Sequence, residues 1–254
     1  MPFVELGDCS LEYRLILGGA DRPPLVFLHE GLGSAGLWRD FPDKLARRTG
    51  SRALVYSRTG YGRSSPLSGR REPDFMHHEA LDVLPRLLAA LGIERPLLVG
   101  HSDGASIALI YAAAGPDLVS GLVLMAPHVF VEAVTLKSIA AIAEKFETTG
   151  LRQRLAKHHS HVDDAFLGWS EIWLNPRFGT WSLGAEVERL AVPALLIQGD
   201  DDPYGTLAQL DAFGAAKPAD ITRLVLQSCG HSPHRDQEAP VLDAIATFAA
   251  NLAA

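Results

Sequence analysis

Short apolar runs bounded by turn residues recur along the chain, at positions 11–17, 24–29, 53–57, 97–100, 121–125, 194–198 and 222–227. Their length and flanking residues predict strands. PLLVG, LVLMA and ALLIQG are apolar without alternation, which suits strands covered on both faces by helices, as in a parallel sheet. Positions 76–91, 105–114 and 241–252 carry a helical period. Strands alternating with helices predict an α/β fold with a mostly parallel, doubly wound sheet and right-handed crossovers. The first two runs have little chain between them and are expected to form an antiparallel addition at the sheet edge.

One region breaks the alternation. From 131 to 188 only helical segments are legible, with many His and Trp residues. An insertion of that length far exceeds a normal connection, and beside strand ends it would form a lid. The division expected is a core at 1–130 and 186–254 with a helical cap at 131–185.

Composition narrows the function classes. Of 254 residues, 47% are apolar and 21% charged, with a net charge of -7. That balance fits a globular domain and argues against a broad nucleic-acid surface. Arg70 and Arg71, near Arg63, lie among Gly, Ser and Pro and read as a solvated loop rather than a phosphate site. Cys9 and Cys229 make neither a disulfide framework nor a zinc motif. No apolar run reaches membrane-span length, and the first residues lack a secretory pattern. The expectation is a cytoplasmic protein with a small-molecule substrate and no nucleic-acid or membrane partner; homodimer formation stays open. His158, His159 and His161 crowd together, as do His77, His78 and Glu79, but without the spacing and support of a ligand set. No metal is expected.

The chemistry enters at Gly100-His101-Ser102-Asp103-Gly104, between the strand LLVG and the apolar stretch ASIALIYAA. A nucleophile on a sharp strand-to-helix turn projects its oxygen past the strand end, and the glycines let strand and helix close up. The helix start also points its positive end at a developing oxyanion. Without partners the same pattern is only a tight turn with a capping serine. A serine hydroxyl needs a base, and imidazole suits that task. His231, in SCGHSPH after the strand TRLVLQ, is placed to serve; His234 is the rival, expected instead to hydrogen-bond within its loop. The acid should follow a strand between the two. In ALLIQGDDDP, Asp202 lies furthest past the strand and is fixed by the next proline. Asp202 is the choice, with Asp201 as its alternative.

With these motifs the chain resembles the α/β-hydrolase superfamily over nearly its whole length. LHEGLGSAGLWRDFPDKLA resembles the loop after the family's third strand, YSRTGYGRSSP the segment after its fourth, and CGHSPHRDQ its histidine loop. In that family's count the cap is inserted after the sixth strand. The resemblance implies an oxyanion hole from the backbone N–H of Asp103 and of Gly31, with Leu32 as the alternative to Gly31. It implies no cofactor. Serine at the nucleophile position disfavours the dehalogenase and epoxide-hydrolase reactions, whose enzymes use aspartate there. Glu30 departs from the family's usual glycine; its carboxylate either screens the pocket against anions or turns away to an arginine such as Arg58.

Substrate contacts are sought at Glu30, His128, Trp169 and Trp173. The two tryptophans lie one helical turn apart near Phe166, and His128 follows the strand GLVLMAP. Asp103 either favours a donor-bearing substrate or merely satisfies its helix start. The leading reading is hydrolysis of a carboxylic ester, thioester or lactone through an acyl-enzyme on Ser102. Its rivals are a C–C bond hydrolase of a dione-type substrate and a non-catalytic small-ligand receptor.

Overall fold

The computed structural model describes residues 1–215 and 220–252. Its strands are β1 (Phe3–Glu5), β2 (Ser10–Ile16), β3 (Leu25–Leu28), β4 (Ala53–Tyr56), β5 (Leu97–His101), β6 (Gly121–Met125), β7 (Ala194–Gly199) and β8 (Ile221–Leu226). They form one eight-stranded sheet in the order β1-β2-β4-β3-β5-β6-β7-β8. From β4 to β8 every pairing is parallel, and β3, β4, β5 and β6 are buried at every position. The absence of alternation in those runs follows directly, because both faces are covered.

The amino-terminal expectation needs correction. β2 does run antiparallel, but it pairs with β4 and with β1, not with the next strand β3. β3 lies in the middle of the sheet, between β4 and β5. Short chain separation is a weak guide here, because the crossover from β3 to β4 inserts β4 beside β2 and moves β3 inward. The edge strand β1 was too short to show a pattern in sequence.

Helices cover both faces. α1 (Phe41–Thr49) ends on Gly50 in the left-handed region, φ 72°. α2 (Phe75–His78) continues through a π-helical turn at Glu79–Val83 into α3 (Leu84–Ala90), so the predicted 76–91 helix is one element with an extra residue in its winding. α4 (Asp103–Ala114) follows β5, and Asp103–Ala113 are all buried; a helix apolar all round is one enclosed by its neighbours. Between β6 and β7 lie α5 (Ala133–Ala143), α6 (Leu151–Leu155), α7 (Val162–Trp173) and α8 (Gly184–Arg189), with a 3-10 turn at Pro176–Phe178. α9 (Ala208–Asp211), α10 (Pro233–Asp236) and α11 (Glu238–Asn251) complete the chain. α3, α4 and α8 share a core with Val26, Leu28, Leu54, Leu98 and Leu122 on one face of the sheet. α1 and α11 pack the other face on Phe27, Val55, Val99 and Val123.

The strand order reverses at β3, since β4 lies on one side of it and β5 on the other. Loops leaving two such strands diverge and open a crevice beyond their carboxyl ends. His29–Leu32 and Ser102 are the residues that follow β3 and β5.

Candidate active site

Ser102 sits at the end of β5 with φ 53° and ψ −121°, a conformation a non-glycine residue adopts only when its surroundings force it. Two backbone approaches do so. A Cβ on Gly100 would lie 2.5 Å from the Gly104 carbonyl oxygen, and one on Gly104 would overlap the Leu28 carbonyl of β3. The Ser102 N–H donates to the Met125 oxygen at 2.9 Å, which pins the turn to β6. Its Oγ therefore projects past the sheet, 3.0 Å from His231 Nε2.

His231 in turn lies 2.9 and 2.8 Å from the two Asp202 oxygens through Nδ1. Asp202 also accepts from the Gln198 amide at 2.7 Å and the Tyr204 N–H at 2.8 Å. Burial works to raise this carboxyl, but the hydrogen bond and charge of His231, with the Tyr204 N–H, hold it below the ordinary range. The neighbouring aspartates are used differently: Asp200 accepts from Ser228 N–H at 2.7 Å, and Asp201 is exposed. Gly199 is required where β7 passes the histidine loop, because a Cβ there would overlap the Cys229 carbonyl.

These groups open on a cavity of about 150 Å³, whose lining includes Gly31, Asp103, His128, Trp169, Trp173 and Glu30. Every residue singled out as a site candidate in the sequence is thus brought to one place. Asp103 begins α4, so its amide has no partner within the helix and is free for an oxygen beside Ser102. Gly31 lies against Trp169, whose indole a Cβ at that position would overlap. The Asp103 carboxyl turns from solvent and accepts from Trp173 Nε1 at 3.2 Å; burial raises its pKa despite the nearby charges of Arg58 and Arg71.

Three expectations need correction. Arg58 does not pair with the Glu30 carboxylate: it is fully buried and donates to the backbone oxygens of His29 and Glu30 at 3.2 and 3.0 Å. Glu30 instead directs its carboxylate at His101 Nδ1 and Arg235, each 3.5 Å away, and these partners outweigh burial to hold it well below the usual carboxylate range. His234 makes no hydrogen bond in its loop; both ring nitrogens lack partners among the described residues, and the ring packs on Trp38 and His101 at 4.8 and 4.9 Å. Arg71 is not solvated either, for its side chain is 5% exposed and lies over Tyr61 and Phe75. Glu30 and His234 were misjudged because their partners come from distant segments, whereas Arg71 is enclosed by aromatic residues of its own stretch.

The sequence reading missed His101, Gln198 and Tyr204. His101 donates through Nε2 to the His231 carbonyl at 2.6 Å, linking the nucleophile turn to the histidine loop. Gln198 was visible as the one polar residue in the strand ALLIQG. His159 is buried and bridges the Gly62 N–H and the Leu32 carbonyl at 3.1 and 3.2 Å. His158 and His161 are exposed, and among the described residues no group of three metal-ligating side chains is assembled. No described helix is long and apolar enough to cross a membrane.

Residues 23–178 match the family described as alpha/beta hydrolase fold. The chain is 26% identical to an sn-1-specific diacylglycerol lipase of Mus musculus, over 97% of this chain and 87% of that one. It is 25% identical to a proline iminopeptidase of Lactobacillus helveticus, over 91% and 90% respectively. Among solved structures, the enol-lactonase of Burkholderia xenovorans superposes with a TM-score of 0.76 at 21% identity, covering 98% of this chain and all of that one. The matched stretch carries the β3 loop, the strained serine turn and most of the helical insertion, and the chain belongs to the α/β-hydrolase fold family.

Proposed function

We propose that this protein is a serine hydrolase that cleaves a carboxylic ester, thioester or lactone of a small substrate through an acyl-enzyme. The observation that carries the reading is the continuous hydrogen-bonded line from Ser102 Oγ through His231 to a buried Asp202. In attack, His231 takes the Ser102 proton as the oxygen adds to the carbonyl carbon. Asp202, ionised and desolvated, stabilises the imidazolium and holds its tautomer. The amides of Asp103 and Gly31 receive the oxyanion. His231 then returns the proton to the leaving alkoxide or thiolate, and next draws a proton from the water that releases the acid. The helical insertion at 131–185 acts as the cap, closing the cavity with Trp169 and Trp173.

The test is intact mass after a fluorophosphonate probe, on wild type and Ser102→Ala, beside p-nitrophenyl ester hydrolysis. One adduct, lost with Ser102, and turnover reduced by about 10⁴-fold or more support the reading. Release of one carboxylic acid and one ketone from a dione-type substrate, with no ester turnover, would favour C–C bond hydrolysis. Tight ligand retention with neither adduct nor turnover would favour a receptor.

A further inference from the structure

One polar side chain in the cavity has no work in the steps above. His128 follows β6, is 3% exposed, and lines the cavity with Ser102 and His231. Its backbone is fixed by Ser106 Oγ, which donates to the His128 oxygen at 2.6 Å. Its ring is wedged between Trp173 and His231, at 5.0 and 5.7 Å between centroids. Yet Nδ1 is buried with no partner among the described residues. Burial, with the neighbouring His231, pushes its pKa down to about 3, so the ring is neutral at any working pH.

A neutral imidazole carries one proton. Orphaned buried N–H donors are rarer and costlier than bare acceptors, so the sealed Nδ1 keeps the lone pair and Nε2 carries the hydrogen. Nε2 is then a donor held in the wall of the cavity. A cavity of about 150 Å³ accommodates a group the size of a benzene ring, and Trp169, Trp173, Ile139 and Leu32 give it apolar sides.

We propose that the substrate places in this cavity a group of about benzene size bearing an acceptor oxygen, a hydroxyl or ether, that receives a hydrogen bond from His128 Nε2. The assignment rests on the ester-hydrolase reading and adds to it the chemistry of the bound group. An ammonium in place of the oxygen finds no acceptor at His128 and gains nothing from this contact. A plain hydrocarbon ring leaves the donor desolvated and unpaired, and a site built around a polar contact discriminates against such analogues.

The experiment compares kcat/KM of wild type on the p-nitrophenyl esters of phenylacetate and of its ring-hydroxylated, ring-methoxylated and ring-aminomethylated forms, at each ring position. Expected is a preference of about tenfold or more for one hydroxy or methoxy isomer over plain phenylacetate, with no gain for any aminomethyl form. His128→Leu should bring that ratio close to one. His128→Gln, which keeps a donor, should retain part of it. Equal wild-type rates on the plain and oxygen-bearing esters, or an ammonium preference, would overturn the assignment while leaving ester hydrolysis intact. No turnover of any ester, with no fluorophosphonate adduct, would instead remove the hydrolase reading beneath it.

Discussion

Mild acid should destabilise this fold before its carboxylates titrate. His29, His128, His159 and His234 are each between 0% and 3% exposed. Burial is the leading cause that lowers all four, aided by Arg58 at His29, by His231 at His128 and by His101 at His234. His128 falls to about 3 and His159 to about 4, and the other two lie well below the ordinary imidazole value. The unfolded chain takes up protons at these sites near pH 6.5, whereas the folded chain does not. Stability is therefore complete above that value and falls as the pH drops below it, until the folded sites themselves titrate. From pH 6.5 to 5.5 each buried histidine removes about 1 kcal/mol, and the four together about 4 kcal/mol. That is a large share of the roughly 5–15 kcal/mol a domain has. Urea unfolding followed by tryptophan fluorescence measures it: the midpoint should drop by about 1 M or more between pH 7.5 and 5.5. His128→Leu should flatten the slope by about a quarter. A midpoint unchanged across that interval would refute the claim that these rings are held neutral.

Asp202→Asn should lower kcat by about 10⁴-fold, by analogy with the triad template, with the Ser102 adduct formed far more slowly; near-wild-type kcat would show that Asp202 does not orient His231. Gly31→Ala drives a methyl into the Trp169 indole; a stability loss of about 1–3 kcal/mol is expected, measured by urea melts and partly relieved in Gly31→Ala/Trp169→Ala. Gly199→Ala forces β7 from the Cys229 carbonyl and so displaces Asp202 and His231 together, visible as lost probe labelling in any protein that still folds. Glu30→Gln removes a carboxylate that shares the cavity with His231. Its loss also leaves His101 and Arg235 without the carboxylate they face, so the urea midpoint should fall; an unchanged midpoint would contradict the placement.

Much of the fold and candidate site was legible because the signals are local. The strand LLVG, the glycines around Ser102 and the enclosed helix after it form one continuous stretch, and the glycines are demanded by backbone approaches that no side chain can relieve. His231 and Asp202 were readable from their positions past strand ends. What was not legible depends on contacts between distant segments. The pairing of β2 with β4 reflects a crossover, and the destination of the Glu30 carboxylate depends on Arg235 and His101. Periodicity carries no information about such partners. His234 shows the limit most clearly: its sequence neighbours suggested a polar loop residue, and its environment is the aromatic face of Trp38 and Phe41.

The three groups of the hydrogen-bonded line come from widely spaced parts of the chain, and the base comes last, only 23 residues before residue 254. During synthesis the serine turn emerges long before Asp202 and His231, so a nascent chain holding β1 to β6 has a hydroxyl with no base beside it. On the proposed mechanism, reactivity arrives only when β7 and β8 have added to the sheet edge and carried the acid and histidine loops into register. Recovery of probe labelling during refolding should therefore report the docking of the last two strands.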